Sequence, residues 1–157
     1  MFGFGKKKEA SKVKVANLKE HLYIFGWHSP YYANPTCASD LSQPKDFHGF
    51  LNRAVLYIKL EQNELALDDI AQALKLASGY PPAIGTRAIA YINSGKLNDA
   101  LQDLNYLIDS FAEGKVNDAW LYYTRGNAYM KMNNKEKAQT DFNDAIRLDP
   151  KYKDFIC

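Results

Sequence analysis

Cysteine is scarce in this sequence. Its 157 residues hold two, Cys37 and Cys157, far apart and without the short spacing of metal ligands. A disulfide framework is therefore not expected, and a reducing cytoplasm is the simplest setting. No apolar run approaches the roughly 18 to 20 residues of a membrane span, so stable membrane insertion is not expected either. The opening "MFGFGKKKEASKVKV" puts its lysines after a short apolar start, with no long apolar region behind them, which is not the order of a secretory signal. Residue 2 is Phe, which leaves no glycine for myristoylation. His21, His28 and His48 lack any i, i+4 or short-motif arrangement for a metal. Glycine-rich phosphate loops and serine nucleophile elbows are missing. Cys37 is the sole candidate thiol nucleophile and has no patterned base; paired catalytic carboxylates are not evident. An enzyme, a metal and a cofactor are thus not expected. Without a basic stripe in the body of the chain, neither is nucleic acid.

Charge is small in sum and uneven in place. Residues 1–20 carry six lysines (Lys6, Lys7, Lys8, Lys12, Lys14, Lys19) against Glu9 and Glu20, a local +4 within a total of +2, which leaves −2 for the remainder. Residues 1–11 read as a disordered basic leader. A basic leader suits an anionic surface, and equally suits a solvated, frayed terminus.

What the sequence does have is internal repetition. Arg53, Arg87 and Arg125 are each followed by a small residue (Ala54, Ala88, Gly126). Four residues on stands a tyrosine (Tyr57, Tyr91, Tyr129), and thirteen on an alanine (Ala66, Ala100, Ala138). Sixteen on stands an aspartate (Asp69, Asp103, Asp141), and next to it a large apolar residue (Ile70, Leu104, Phe142). The copies are spaced by 34 and then 38 residues, and the extra four fall between Asp103 and Arg125. The polar, glycine-containing "AEGKVND", residues 112–118, is the expected loop. In the third copy Tyr122, Gly126 and Tyr129 share one helix face. "MNNKEK" interrupts the pattern as a turn, and Ala138, Phe142, Ala145 and Ile146 form a second stripe. Gly95 marks the corresponding turn of the second copy. Pro81 and Pro82 open a helix, and Pro150 stops one.

This pattern resembles the tetratricopeptide repeat, a 34-residue helix–turn–helix unit. Residues 119–152 match best, with Gly126, Tyr129, Ala138, Phe142, Ala145 and Pro150 at the family's signature places. Residues 81–114 keep Ala88, Tyr91, Ala100 and Leu104, with Ala112 at the proline place. Residues 47–80 keep Ala54, Tyr57, Ala66, Ile70 and Ala73, with Ser78 there. Phe50, Ile84 and Tyr122 replace the family's tryptophan. The resemblance implies an all-α fold, a right-handed α-α superhelix of three such units. An amphipathic helix over residues 12–26, built on Val15, Leu18, Leu22 and Phe25, is expected to precede them, followed by a proline-rich extended segment over residues 27–46. A short tail, residues 153–157, is expected to follow.

An arginine and an aspartate sixteen residues apart cannot meet on one helix, but can meet across the turn of a helical hairpin. Three structural pairs are therefore expected: Arg53–Asp69, Arg87–Asp103 and Arg125–Asp141. The alternative is an arginine row that binds phosphate or an acidic peptide. In stacked repeats the first helix of each pair lines the concave side. The resemblance then implies a partner-binding groove lined by Leu51, Val55, Ile58, Ile89, Ile92, Trp120, Tyr123, Asn127 and Met130, with Gly85 beside them. Co-chaperone members of the family hold a carboxylate terminus with lysine, asparagine and arginine. Here the matching places hold Leu51, Val55, Ile89, Tyr123 and Asn127, so that use is not expected.

An apolar groove needs cover. The N-terminal helix is expected to cap the first unit, and the loop carrying Trp27, Tyr31 and Tyr32 to lie in or beside the groove. After Pro150 too few residues remain for a capping helix. Apolar surface near Tyr152, Phe155 and Ile156 is expected there, with self-association into a homo-oligomer as one consequence. The sequence thus reads as a scaffold or adaptor that binds another protein or peptide. The alternatives are a small chaperone for an aggregation-prone segment, like the three-repeat chaperones of bacterial secretion, and a self-assembling structural subunit.

Overall fold

The computed structural model describes residues 42–111 and 119–156. The predicted leader, the helix over residues 12–26, the proline-rich segment up to residue 41, its Trp27, and the loop at 112–118 lie outside the described residues. Within them, every regular element is helical. They are α1 (Phe47–Lys59), α2 (Asn63–Leu76), α3 (Pro81–Asn93), α4 (Leu97–Phe111), α5 (Ala119–Lys131), α6 (Lys135–Leu148), a 3₁₀ turn (Pro150–Tyr152) and a four-residue α7 (Lys153–Ile156). The hairpins α1–α2, α3–α4 and α5–α6 stack in order. Each first helix also touches the next first helix, α1 with α3 and α3 with α5, which places the first helices on the inner side of an α-α superhelix.

Local chemistry sets the helix starts. The Asp46 carboxylate accepts a hydrogen bond from Gly49 N at 2.7 Å and caps α1. Pro81 and Pro82 occupy the first positions of α3, where the missing N–H costs nothing. The Asn134 side chain accepts from Lys137 N and caps α6. The three hairpin turns are one motif used three times. Each first helix ends with a left-handed residue eight places after its arginine: Glu61 (φ 59°), Gly95 (φ 75°) and Asn133 (φ 59°). The next residue donates its N–H to the carbonyl of the repeating tyrosine: Gln62 to Tyr57 at 2.8 Å, Lys96 to Tyr91 at 2.9 Å, Asn134 to Tyr129 at 2.9 Å. The left-handed residue itself donates three back, to Ile58, Ile92 and Met130. This pair of bonds satisfies the last carbonyls of the helix and fixes where the chain reverses.

The core follows the hairpins. One apolar cluster gathers Leu51, Ala54, Ile58, Ala66, Ile70, Ala73, Ala83 and Ala90; the other gathers Ile84, Ala88, Ile92, Ala100, Leu104, Leu107, Trp120, Leu121 and Ala128. Ile89 and Leu74 border both and join them. Leu51, Ile70, Leu104 and Leu107 are the largest fully buried side chains, each contributing about 1.5–3 kcal/mol by leaving water. In the third hairpin the helices approach closely at Gly126. A Cβ there would stand 2.6 and 2.7 Å from the Phe142 ring carbons Cε1 and Cδ1, and 3.3 Å from Ala138 O. The first two hairpins instead pair an alanine with a smaller partner, Ala54 with Ile70 and Ala88 with Leu104. The register continues past the third hairpin. Asp149 N bonds Ala145 O and Tyr152 N bonds Asp149 O, as Ala77 N bonds Ala73 O and Tyr80 N bonds Ala77 O before α3. Accordingly α7 starts at Lys153, 34 residues after the start of α5.

Candidate functional site

The structure brings each repeated arginine onto the aspartate of its own hairpin, in the same two-pronged geometry. Arg53 Nε and Nη2 donate to Asp69 Oδ2 and Oδ1 at 2.6 and 2.7 Å. Arg87 does so to Asp103 at 2.8 and 2.7 Å, and Arg125 to Asp141 at 2.9 and 2.7 Å. Parallel bonds of this kind match the guanidinium fork to the carboxylate. All three aspartates are buried, on the second helices. Aromatic rings flank the cations along the first helices. Arg53 lies 5.9 Å from the Phe50 ring and 5.8 Å from Tyr57, Arg87 6.0 Å from Tyr91, and Arg125 5.6 Å from Tyr122. In the third hairpin Lys137 takes the Tyr129 ring, at 5.4 Å. The aspartate hydrogen bonds raise all three arginines above their ordinary range, and burial opposes this only in part. A raised value means the stabilisation is complete below the ordinary arginine range and fades only as pH climbs through the raised one. The row of cations is internally neutralised, which leaves little of it for an anionic ligand.

The remaining bond of each guanidinium tells the repeats apart. Arg125 Nη1 donates to Asn105 Oδ1 at 2.8 Å, so one side chain ties α4, α5 and α6. Arg53 Nη1 donates to the Ser42 carbonyl at 3.2 Å. Asn105 was not among the residues expected from sequence. Its signal was the position two after the repeated aspartate, which holds Ala71, Asn105 and Asn143 in turn.

The nine positions expected to line a groove separate into three groups. Leu51, Val55, Ile58, Ile92 and Trp120 are buried, and all of these except Val55 belong to the two apolar clusters. Ile89, Tyr123 and Asn127 are half-buried, and Met130 is 47% exposed. Gly85 is buried. Helical spacing put all nine on first helices but did not separate the inner surface from the face that packs against neighbouring helices.

The apolar surface expected past Pro150 is present at Phe155, while the outer face of α6 is polar. Leu67 and Leu101 pack against the clusters from α2 and α4. Gln139 holds the same register place on α6; it is exposed and bonded to Asn143 at 3.0 Å. That face of α6 is therefore largely polar. The tail past Pro150 also folds. Tyr152 and Phe155 bring their rings to 5.1 and 6.4 Å from Tyr123, although Phe155 stays 64% exposed. Among the described residues no group of three or more His, Cys, Asp or Glu is placed to hold a metal ion. No described helix is long and apolar enough to cross a membrane.

Comparison with known proteins agrees with this geometry. Family models described as "Tetratricopeptide repeat" match residues 119–152 and 48–80. Three solved structures are similar in fold. The first repeat domain of Spaghetti (RPAP3), bound to an HSP90 peptide, has TM-score 0.59 and 21% identity, over 67% of this chain and 80% of that one. YrrB, described as having an unusual peptide-binding site, has TM-score 0.59 and 22% identity, over 85% of this chain and 65% of that one. MamA from Desulfovibrio magneticus RS-1, from residue 41 to its end, has TM-score 0.60 and 22% identity, over 87% and 76%. Three stacked helical hairpins, their repeated residues in one register and two of them matched by the family's models, give this chain the tetratricopeptide-repeat fold.

Proposed function

We propose that this protein binds another protein by presenting the inner surface of α3 and α5 to a peptide or helix. One observation carries the reading: the arginines are spent on their own aspartates, and the partly accessible positions left on those helices are uncharged apart from Lys131 at the end of α5. Ile89, Tyr123, Asn127 and Met130 combine apolar and aromatic area with one amide, a surface suited to an apolar segment with a single polar anchor. Spaghetti with its HSP90 peptide and YrrB with its peptide-binding site support the class of function. The positions that a carboxylate clamp would use hold Leu51, Val55, Ile89, Tyr123 and Asn127, so an acidic terminus is a poor fit for this surface. The test is affinity capture with the wild type, Tyr123→Glu, Asn127→Glu and, as an outer-face control, Gln102→Glu, with folding checked by circular dichroism. Loss of the same partners in the first two variants and retention in the control supports the groove. Equal capture by all four folded proteins overturns it.

A further inference from the structure

We draw no further inference here: the strongest candidate, the aromatic surface around Tyr123 and the exposed Phe155 where α7 begins in the register of another hairpin, has nothing among the described residues to show what covers it.

Discussion

Arg87 and Arg125 hold the same place in the second and third hairpins and grip their aspartates alike. Arg125 then reaches across to Asn105 on the preceding hairpin. On α2 the place of Asn105 is taken by Ala71, which has no acceptor in its side chain, and Arg87 Nη1 has no protein partner among the described residues. The side chain of Arg87 is correspondingly more exposed, 33% against 19% for Arg125. The contact between the two helices of the hairpin differs as well: Ala88 and Leu104 share a cluster in the second hairpin, whereas Gly126 faces Phe142 in the third. One repeat design thus supports two settings of the arginine: in the second hairpin it is held within its own hairpin, and in the third it also ties its hairpin to the one before, whereas the first and second hairpins are tied instead by Lys96 Nζ and Glu64 Oε1 at 3.1 Å.

The sharpest way to break that contrast is to remove the aspartates. Asp141→Ala leaves a largely buried guanidinium with only Asn105, and a loss of about 3 kcal/mol or more is expected in urea unfolding. Asp103→Ala strands a more solvated arginine and is expected to cost about 1–2 kcal/mol less. Equal losses would remove the distinction. Gly126→Ala comes next. Overpacking against Phe142 costs typically about 1–3 kcal/mol, offset by about 1 kcal/mol of helix propensity. A net loss of up to about 2 kcal/mol is expected, and Phe142→Leu in the same chain, recreating the Ala–Leu pairing of the second hairpin, is expected to recover part of it. A double-mutant cycle showing strict additivity would contradict the close contact. At the turns, Gly95→Ala is expected to lose about 1 kcal/mol and Glu61→Gly to gain about half to one, because a left-handed backbone penalises a Cβ. The smallest effect sharpens the comparison by repairing it. Ala71→Asn offers Arg87 the acceptor that Asn105 gives Arg125, with an expected gain of about 0.5–1 kcal/mol in the unfolding free energy from urea denaturation. That gain should vanish when Arg87→Lys is present.

The hairpins were legible because repetition turns weak local signals into a shared register. The spacing of Arg125 and Asp141 excludes one helix and fits a turn between two, and Pro81 and Gly95 mark a start and a stop with defined backbone reasons. The division of the inner surface was less legible. Leu51 and Ile89 are both large aliphatics on first helices, yet one is sealed in a cluster and the other half-open. Only the stacking of neighbouring hairpins decides between them, and that information lies outside either helix. Asn105 was missed for the opposite reason. Its position varies among the copies, so a search for sameness passes over it. The fold of Pro150–Ile156 onto Tyr123 depends on a backbone joint copied from residues 77–80, which no shared side chain except Tyr80 and Tyr152 announces.

The turn at Glu61 has a consequence for how the array opens. In a linear stack, stability is close to a sum of hairpin and interface contributions, so each hairpin has its own equilibrium with a locally unfolded form. Glu61 sits in the turn between α1 and α2, exposed and away from the α3 and α5 surface. Its left-handed backbone therefore acts as an adjustable setting for the first hairpin alone. Substitution there shifts how often that end of the array frays, and with it the lifetime of any partner resting across the hairpins, while leaving every proposed contact residue as it is.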